Sequence, residues 1–171
     1  MSNDLQIARV RVYAVTPRKT PRIRYHGRME FQQLNAEIVR VTLHNGAEGE
    51  ASFFSGFKGR GAGVIVREIE AVADRVIGGD SARRAELTEN LLADAGPGPW
   101  EAISMLDCAM WSAYAHAIGQ PLYRLLSGYR ERIPAQASVD AFDTVEEYLD
   151  ITKRSVALGY RAVKLHMNDV P

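Results

Sequence analysis

The sequence has 171 residues, of which 46% are hydrophobic and 25% charged, and its 21 basic and 21 acidic residues cancel. This composition predicts a globular protein and gives no overall field that would attract nucleic acid or an anionic membrane. No apolar run approaches the ~18 residues of a membrane span, and the N-terminus lacks the apolar core of a signal peptide. The single cysteine, Cys108, is predicted to be a small core residue in a reducing compartment. We therefore expect a soluble cytoplasmic protein.

Three strands are predicted near the N-terminus. Residues Ile7 to Val15 alternate between apolar and polar side chains, which indicates a half-buried strand. A second strand, Ala36 to Leu43, leads into Asn45-Gly46, a dipeptide typical of the type I′ hairpin turn, and Glu48 to Phe53 returns as the third strand. Other elements of the chain have to cover one apolar face of this antiparallel sheet.

Two loops beside these strands are candidates for recognising a substrate. Residues 17–30 are rich in arginine, include Arg24 and His26, and contain a single acidic residue, Glu30. Their positive charge could attract an anionic acid, and a solvated surface loop without a binding role is an equal alternative. Residues 53–63 are rich in glycine but lack the spacing of a phosphate-binding loop, so we do not expect them to bind a nucleotide.

The next residues predict a helical bundle. One helix has an apolar stripe that ends at Gly78-Gly79, and Ser81 can cap a second helix that carries three leucines. The longest helix begins near Ala102, and its small alanines allow another layer to approach closely. Gly119 followed by Pro121 ends it, and a short helix then runs to Gly128. The stripe residues are Ile65, Ile69, Val72 and Val76 in the first helix and Ile103, Leu106, Met110, Ala113 and Ala117 in the longest.

Residues 102–128 also carry a specific combination of side chains. It consists of Ala102-Ile103-Ser104, Leu106-Asp107, Ala109, Trp111, Gly119-Gln120-Pro121-Leu122 and Leu125-Leu126-Ser127-Gly128. This combination resembles the domain junction of the mandelate racemase and muconate lactonizing enzyme group of the enolase superfamily, and it departs from the group at Ser112 and His116. The resemblance agrees with an α+β capping domain in residues 1–130, formed by a three-stranded antiparallel sheet and a helical bundle.

Residues 131–171 predict a strand, a helix and a second strand. The strands are predicted at 133–139 and 160–166, and Thr144 and Glu147 form a capping box at the start of a helix that ends at Gly159. The connection suits a parallel βαβ unit. It is similar to the first unit of a TIM-type (β/α) barrel, which typically needs ~250 residues, so we expect the barrel to be incomplete in this chain.

Lys164 and His166 are the candidate catalytic residues. They are two positions apart near the C-terminal end of a predicted strand, so their side chains should point to the same side, where TIM-barrel active sites form. For an arbitrary strand, a rim residue or half of an ion pair is the simpler interpretation. The resemblance implies instead a Lys-x-Lys motif whose second lysine removes the proton α to a carboxylate, and His166 takes that second position here.

The resemblance implies the remaining chemistry. Lys164 would hold the substrate carboxylate, while His166 would act as the base or as an acid toward a leaving hydroxyl. Mg²⁺ would stabilise the enediolate, with ligands from later strands, so no metal ligand is assigned in this chain. Residues 17–30 would fold over the barrel mouth, which makes Arg24 and His26 candidate substrate-binding residues.

The leading hypothesis is the N-terminal portion of a Mg²⁺-dependent racemase, or of a dehydratase of hydroxy-acids or acid sugars, with a small-molecule carboxylate as substrate. The alternative is a noncatalytic capping-domain module that binds or packs. We expect the 171-residue chain alone to be inactive and to associate, because two barrel strands leave edges unpaired. Assembly into a homo-oligomer stays open.

Overall fold

A computed structural model gives the structure of the protein and describes residues 3–16, 23–25, 29–31, 35–54, 63–95 and 98–166. The chain divides into two compact units, residues 1–17 with 34–128 and residues 18–33 with 129–171. In chain order the strands are β1 (Ile7–Val15), β2 (Ile23–Tyr25), β3 (Met29–Phe31), β4 (Ala36–Leu43), β5 (Glu48–Phe54), β6 (Ala137–Ser138) and β7 (Val163–Lys164). The helices are α1 (Val64–Ala73), α2 (Arg84–Ala95), α3 (Trp100–Ala117), α4 (Leu122–Leu125) and α5 (Val145–Ala157).

The first unit is built on a three-stranded antiparallel sheet with the order β1-β4-β5. The bounds of β1 and β4 are those predicted from the sequence, and β5 extends one residue further, to Phe54. The odd-numbered residues of β4 from 37 to 43 are buried, whereas the even-numbered ones are only half-buried. The sheet therefore has one core face, as the alternation in β4 predicts.

The turn between β4 and β5 differs from the prediction. Gly46 has a φ of 85°, but Asn45 does not share this left-handed conformation, as a type I′ turn would require. The Gly46 N–H donates to the Leu43 carbonyl at 2.9 Å, and the Asn45 side-chain oxygen accepts from the Ala47 N–H at 3.0 Å. This is the pattern of a type I turn followed by a left-handed glycine, in which the asparagine side chain satisfies a turn N–H.

Helices α1 and α3 pack on the core face of the sheet, and α2 packs on α3. The apolar stripes predicted for α1 and α3 are confirmed, because their residues are buried except for Ala117, which is half-buried. Helix α1 ends at Ala73, earlier than predicted, although Val76 beyond it is still fully buried. The predicted cap at Ser81 is wrong: the Asp80 carboxylate accepts from the Ala82 N–H, while the buried Ser81 hydroxyl donates to the Leu5 carbonyl at 2.7 Å.

Strand β5 and helix α3 approach each other unusually closely at Gly49. A Cβ atom placed on Gly49 would lie 2.0 Å from the Ala113 nitrogen and 2.3 Å from the Ala109 oxygen, both of them backbone atoms of α3. Ala109 and Ala113 are themselves fully buried. Small residues on both elements therefore permit this contact, as the alanines of α3 predict.

A buried carboxylate connects the sheet to the start of α1. Glu37, on the core face of β4, is fully buried, and its two oxygens accept from the Gly63 N–H at 2.7 Å and the Val66 N–H at 2.9 Å. The first backbone N–H groups of a helix have no partner within the helix. Glu37 supplies that partner from a strand 26 residues earlier in the chain.

Replacing Glu37 with Gln should destabilise this unit. The amide keeps one acceptor oxygen but turns an NH₂ group toward the second buried N–H, which is left without an acceptor at a cost of about 1–3 kcal/mol. Urea unfolding followed by circular dichroism measures this loss. The matched control is Glu70→Gln on the exposed face of α1, which should change little. Equal unfolding midpoints for the two variants would show that the Glu37 bonds do not stabilise the fold.

Cys108 is exposed on α3, so its prediction as a core residue is wrong. It falls outside the apolar stripe of α3 and lines an open pocket beside Ser52 and Phe53 of β5. Partial burial of its surroundings raises the pKa of the Cys108 thiol above its ordinary value, and the negative charge of Asp107 raises it further. The Asp107 carboxylate accepts a hydrogen bond from the Thr88 hydroxyl at 2.7 Å, which joins α3 to α2.

We expect the alkylation of Cys108 by iodoacetamide to require a higher pH than that of a free thiol. A raised pKa means that the reactive thiolate forms only as the pH rises past the ordinary range. The rate measured against pH should therefore have its midpoint above that of glutathione, and Asp107→Asn should move the midpoint down. A midpoint that is unchanged by Asp107→Asn would remove the carboxylate as a cause.

The second unit contains two small sheets. Strands β2 and β3 form an antiparallel pair within a segment for which the sequence predicts only a loop. Strands β6 and β7 pair in parallel, with α5 between them along the chain, which confirms the predicted strand, helix and strand order. Both strands are shorter than predicted. The capping box of α5 is confirmed, since Thr144 accepts from the Glu147 N–H and Glu147 accepts from the Thr144 N–H.

Within the described parts of the chain, no helix combines the length and the apolar character needed to cross a membrane.

Candidate functional site

The candidate site lies where β6 and β7 end, within the second unit. The ladder between the two strands consists of the Ala137 N–H donating to the Ala162 carbonyl at 3.0 Å and the Val139 N–H donating to the Lys164 carbonyl at 3.1 Å. Because the strands are parallel, the residues that follow both of them emerge at the same edge. This edge brings together residues 139–142 and the segment that ends at His166.

His166 is buried at this edge, with 5% of its surface exposed. Its ring Nδ1 lies 2.6 Å from the backbone carbonyl oxygen of Val139. A carbonyl can only accept a hydrogen bond, so Nδ1 carries the proton and donates it. In the neutral ring, Nε2 then holds the lone pair, which gives His166 one defined nitrogen that can accept a proton.

Tyr148 contacts the backbone of His166. Its hydroxyl donates to the His166 carbonyl at 2.5 Å and accepts from the Phe142 N–H at 3.0 Å. The Tyr148 and Phe142 rings meet edge to face with their centroids 5.2 Å apart. Tyr148 lies on α5 and is buried, so one hydroxyl connects the helix, the segment after β6 and the segment after β7.

The structure places Lys164 differently from His166. Lys164 is the last residue of β7 and is exposed, whereas His166 lies two residues beyond the strand and is buried. The predicted strand ran to His166, and side-chain alternation applies only while a strand continues. The two side chains therefore differ in burial, and the structure does not show them pointing to the same side.

The two predicted substrate-binding residues are not described to the same extent. Arg24 lies in the middle of β2, where the structure describes the backbone and not the surroundings of the side chain. His26 lies outside the described residues. Their role in binding stays a prediction.

Sequence reasoning missed Tyr148 and the Val139 carbonyl. The sequence placed Tyr148 only within the predicted helix that begins after Thr144, and a backbone carbonyl has no signature in a sequence. The position of Tyr148 four residues after the helix cap Thr144 is a signal that its side chain lies near the beginning of the helix. It does not predict which carbonyl the hydroxyl contacts.

The described residues do not provide a metal site. Among them, no three His, Cys, Asp or Glu side chains come close enough together to hold a metal ion.

Comparison with known proteins identifies the family. Residues 8–127 match the model of the mandelate racemase / muconate lactonizing enzyme N-terminal domain. The D-galactonate dehydratase family member ManD of Chromohalobacter salexigens is 33% identical over 136 residues, which cover 77% of this chain and 33% of ManD. The N-succinylamino acid racemase of Thermus thermophilus is 30% identical over 128 residues, which cover 66% of this chain and 34% of the racemase. The chain thus spans about a third of the length of these relatives.

Solved structures share the fold. A mandelate racemase/muconate lactonizing group protein from Pseudovibrio sp. superposes with a TM-score of 0.81 at 30% identity, over 96% of this chain and 44% of that protein. An enolase from Bradyrhizobium, complexed with magnesium and mandelic acid, gives a TM-score of 0.79 at 22% identity, over 94% of this chain and 45% of that protein. The chain therefore belongs to the mandelate racemase / muconate lactonizing enzyme family of the enolase superfamily, whose N-terminal domain it carries.

Proposed function

We propose that the complete protein carrying this chain removes the proton α to a carboxylate, as a racemase or as a dehydratase of hydroxy-acids or acid sugars. The observation that supports this most directly is His166, whose Nδ1–H is engaged by the Val139 carbonyl so that Nε2 is the basic nitrogen. The relatives include a dehydratase family member and a racemase, which agrees with chemistry that begins by removing such a proton.

In this proposal His166 is the base. Its Nε2 accepts the α-proton, the C–H bond breaks, and the electron pair moves onto the carboxylate oxygens of the substrate. The bond from Nδ1–H to Val139 is kept when Nε2 gains the proton, because Nδ1 is a donor in both forms of the ring. His166 can then deliver the proton to a leaving hydroxyl, which completes a dehydration, whereas racemisation requires a second group to return a proton to the opposite face.

Lys164 is proposed to bind the substrate carboxylate. Its ammonium group is exposed and can reach a ligand without breaking a contact within the core. Arg24 and His26 are proposed to contact the substrate from residues 17–30, whose positive charge suits an acid. The positive charges of Lys164 and of residues 17–30 are thus both consistent with a negatively charged carboxylate substrate.

Mg²⁺ is proposed as the cofactor on the basis of the family, since the Bradyrhizobium enolase was solved with it. The described residues do not fit a Mg²⁺ site, because they contain no cluster of suitable ligands. Any ligands of the ion would therefore come from outside the described residues.

We further propose that residues 131–171 form the first βαβ unit of a TIM-type barrel, after a capping domain in residues 1–130. The parallel pairing of β6 with β7 supports this, because α5 makes the crossover between them. Helix α5 also exposes an apolar stripe of Val145, Leu149 and Val156, which are 53–60% exposed. In a barrel, neighbouring helices would cover such a stripe.

Hydrogen exchange tests the proposed function. The complete protein, with added Mg²⁺, is incubated in deuterated water with a panel of hydroxy-acids and sugar acids, and proton NMR follows the α-proton of each. We expect this signal to disappear for at least one acid, and to persist when the ion is removed with a chelator. Retention of every α-proton with Mg²⁺ present would contradict proton abstraction and favour a noncatalytic binding or packing module.

A further inference from the structure

We propose that Tyr148 is a positioning residue for His166: its hydroxyl fixes the peptide from which the imidazole projects. The inference rests on the proposed function, in which His166 is the base, and adds a residue to that site. Its basis is one hydroxyl that bonds two segments at once, donating to the His166 carbonyl at 2.5 Å and accepting from the Phe142 N–H at 3.0 Å.

Two contacts to described residues orient His166. The Val139 carbonyl accepts from its ring Nδ1 at 2.6 Å, and the Tyr148 hydroxyl donates to its backbone carbonyl. A hydrogen bond to the ring does not by itself set the direction of the backbone. With the carbonyl also fixed, the direction of the Cα–Cβ bond is set, and with it the position of Nε2.

The second contact is needed because His166 lies outside regular structure. Strand β7 ends at Lys164, two residues before His166. A residue in this position relies on side chains for its orientation. Both partners of Tyr148 belong to segments that follow strands, so its hydroxyl joins these two segments beyond the ends of β6 and β7.

Tyr148 is itself firmly placed. It lies one residue after Glu147, whose carboxylate and the Thr144 hydroxyl form the capping box that fixes the first turn of α5. Its ring is buried and packs edge to face on Phe142. The orientation of His166 therefore depends on the start of α5 through one phenol oxygen.

Tyr148→Phe tests the inference, because it keeps the ring and its packing on Phe142 and removes only the hydroxyl. Misplacement of a catalytic group by ~1 Å can cost ~10²-fold in rate, so we expect kcat for α-proton exchange to fall by about 10-fold to 10²-fold with KM unchanged. Nitrogen NMR of labelled histidine in the complete protein should show the wild-type His166 with a proton fixed on Nδ1. In Tyr148→Phe the same signals should move toward the average of the two neutral forms.

The matched control is Tyr129→Phe, which removes the hydroxyl of a tyrosine that is 90% exposed in the same unit. It should leave kcat and the His166 signals at wild-type values. A folded Tyr148→Phe variant with wild-type kcat would overturn the inference, and so would a loss of thermal stability with unchanged His166 signals, which would make Tyr148 merely structural.

The inference and the proposed function fail in distinguishable ways. If His166→Asn abolishes exchange and Tyr148→Phe does not alter it, only the positioning role is wrong. If His166→Asn exchanges at the wild-type rate, the assignment of the base is wrong, and the NMR signals of His166 in Tyr148→Phe still report whether the hydroxyl orients the ring.

Discussion

Replacing His166 with Asn should abolish exchange of the substrate α-proton with deuterated water in the complete protein. Asparagine retains an N–H that can donate to the Val139 carbonyl, so the fold at the end of β7 should survive, but it has no nitrogen that accepts a proton. General acid–base catalysis contributes ~10²–10⁴-fold, and we expect a loss of this size in kcat. Proton NMR of the substrate measures the rate.

Lys164→Met provides the comparison within the site. Removing the ammonium should weaken binding of the carboxylate as well as slow the reaction, so KM should rise while kcat falls. Lys153→Met, on the exposed surface of α5, is the matched control and should change neither. If His166→Asn retains the wild-type exchange rate, the base lies elsewhere and His166 is a binding or structural residue.

Gly49→Ala should lower the free energy of unfolding strongly, and by more than Gly46→Ala. The new Cβ would meet the Ala113 nitrogen at 2.0 Å and the Ala109 oxygen at 2.3 Å, well inside any real contact distance. Overpacking a core typically costs ~1–3 kcal/mol and occasionally more. Because the obstructing atoms belong to the helix backbone, a change of rotamer cannot relieve the clash, and we expect a loss at or above the upper end of this range.

Urea unfolding followed by circular dichroism measures the loss. Gly46→Ala in the same hairpin is the control: it forces a left-handed conformation on alanine, at about 1–2 kcal/mol, but its Cβ meets nothing within 4 Å. Shortening a side chain of α3, as in Ala113→Gly, should not rescue Gly49→Ala. Full rescue would mean that side chains rather than backbone atoms set the spacing between β5 and α3.

The accuracy of the sequence predictions depended on the range of the interactions involved. Strands β1 and β4 and the capping box of α5 were predicted correctly, because alternation and capping are encoded within a few neighbouring residues. The pairing of β2 with β3 was missed, since each strand has only three residues, which is too few for alternation to indicate a strand. The turn after β4 was assigned by a dipeptide that is compatible with more than one turn type.

The candidate site shows the same limit. The resemblance identified His166 as a candidate base, because it takes the second position of the Lys-x-Lys motif near the end of a predicted strand, and the structure places it at that edge. The contacts that determine its chemistry come from Val139 and Tyr148, which are 27 and 18 residues away along the chain. Cys108 was misplaced for a related reason: a mainly apolar helix hides which of its positions faces solvent.

The carboxylate of Glu37 also affects how much the length of the connection between β5 and α1 matters for folding. Because Glu37 fixes the start of α1 from β4, and β5 is fixed by its own pairing with β4, both ends of residues 55–62 are anchored by the same central strand. Closing a loop costs free energy that grows only logarithmically with its length, so doubling the length adds about 0.6 kcal/mol. Lengthening the chain between these anchors is therefore inexpensive for folding, because the sheet and α1 are held in place by bonds outside the added residues.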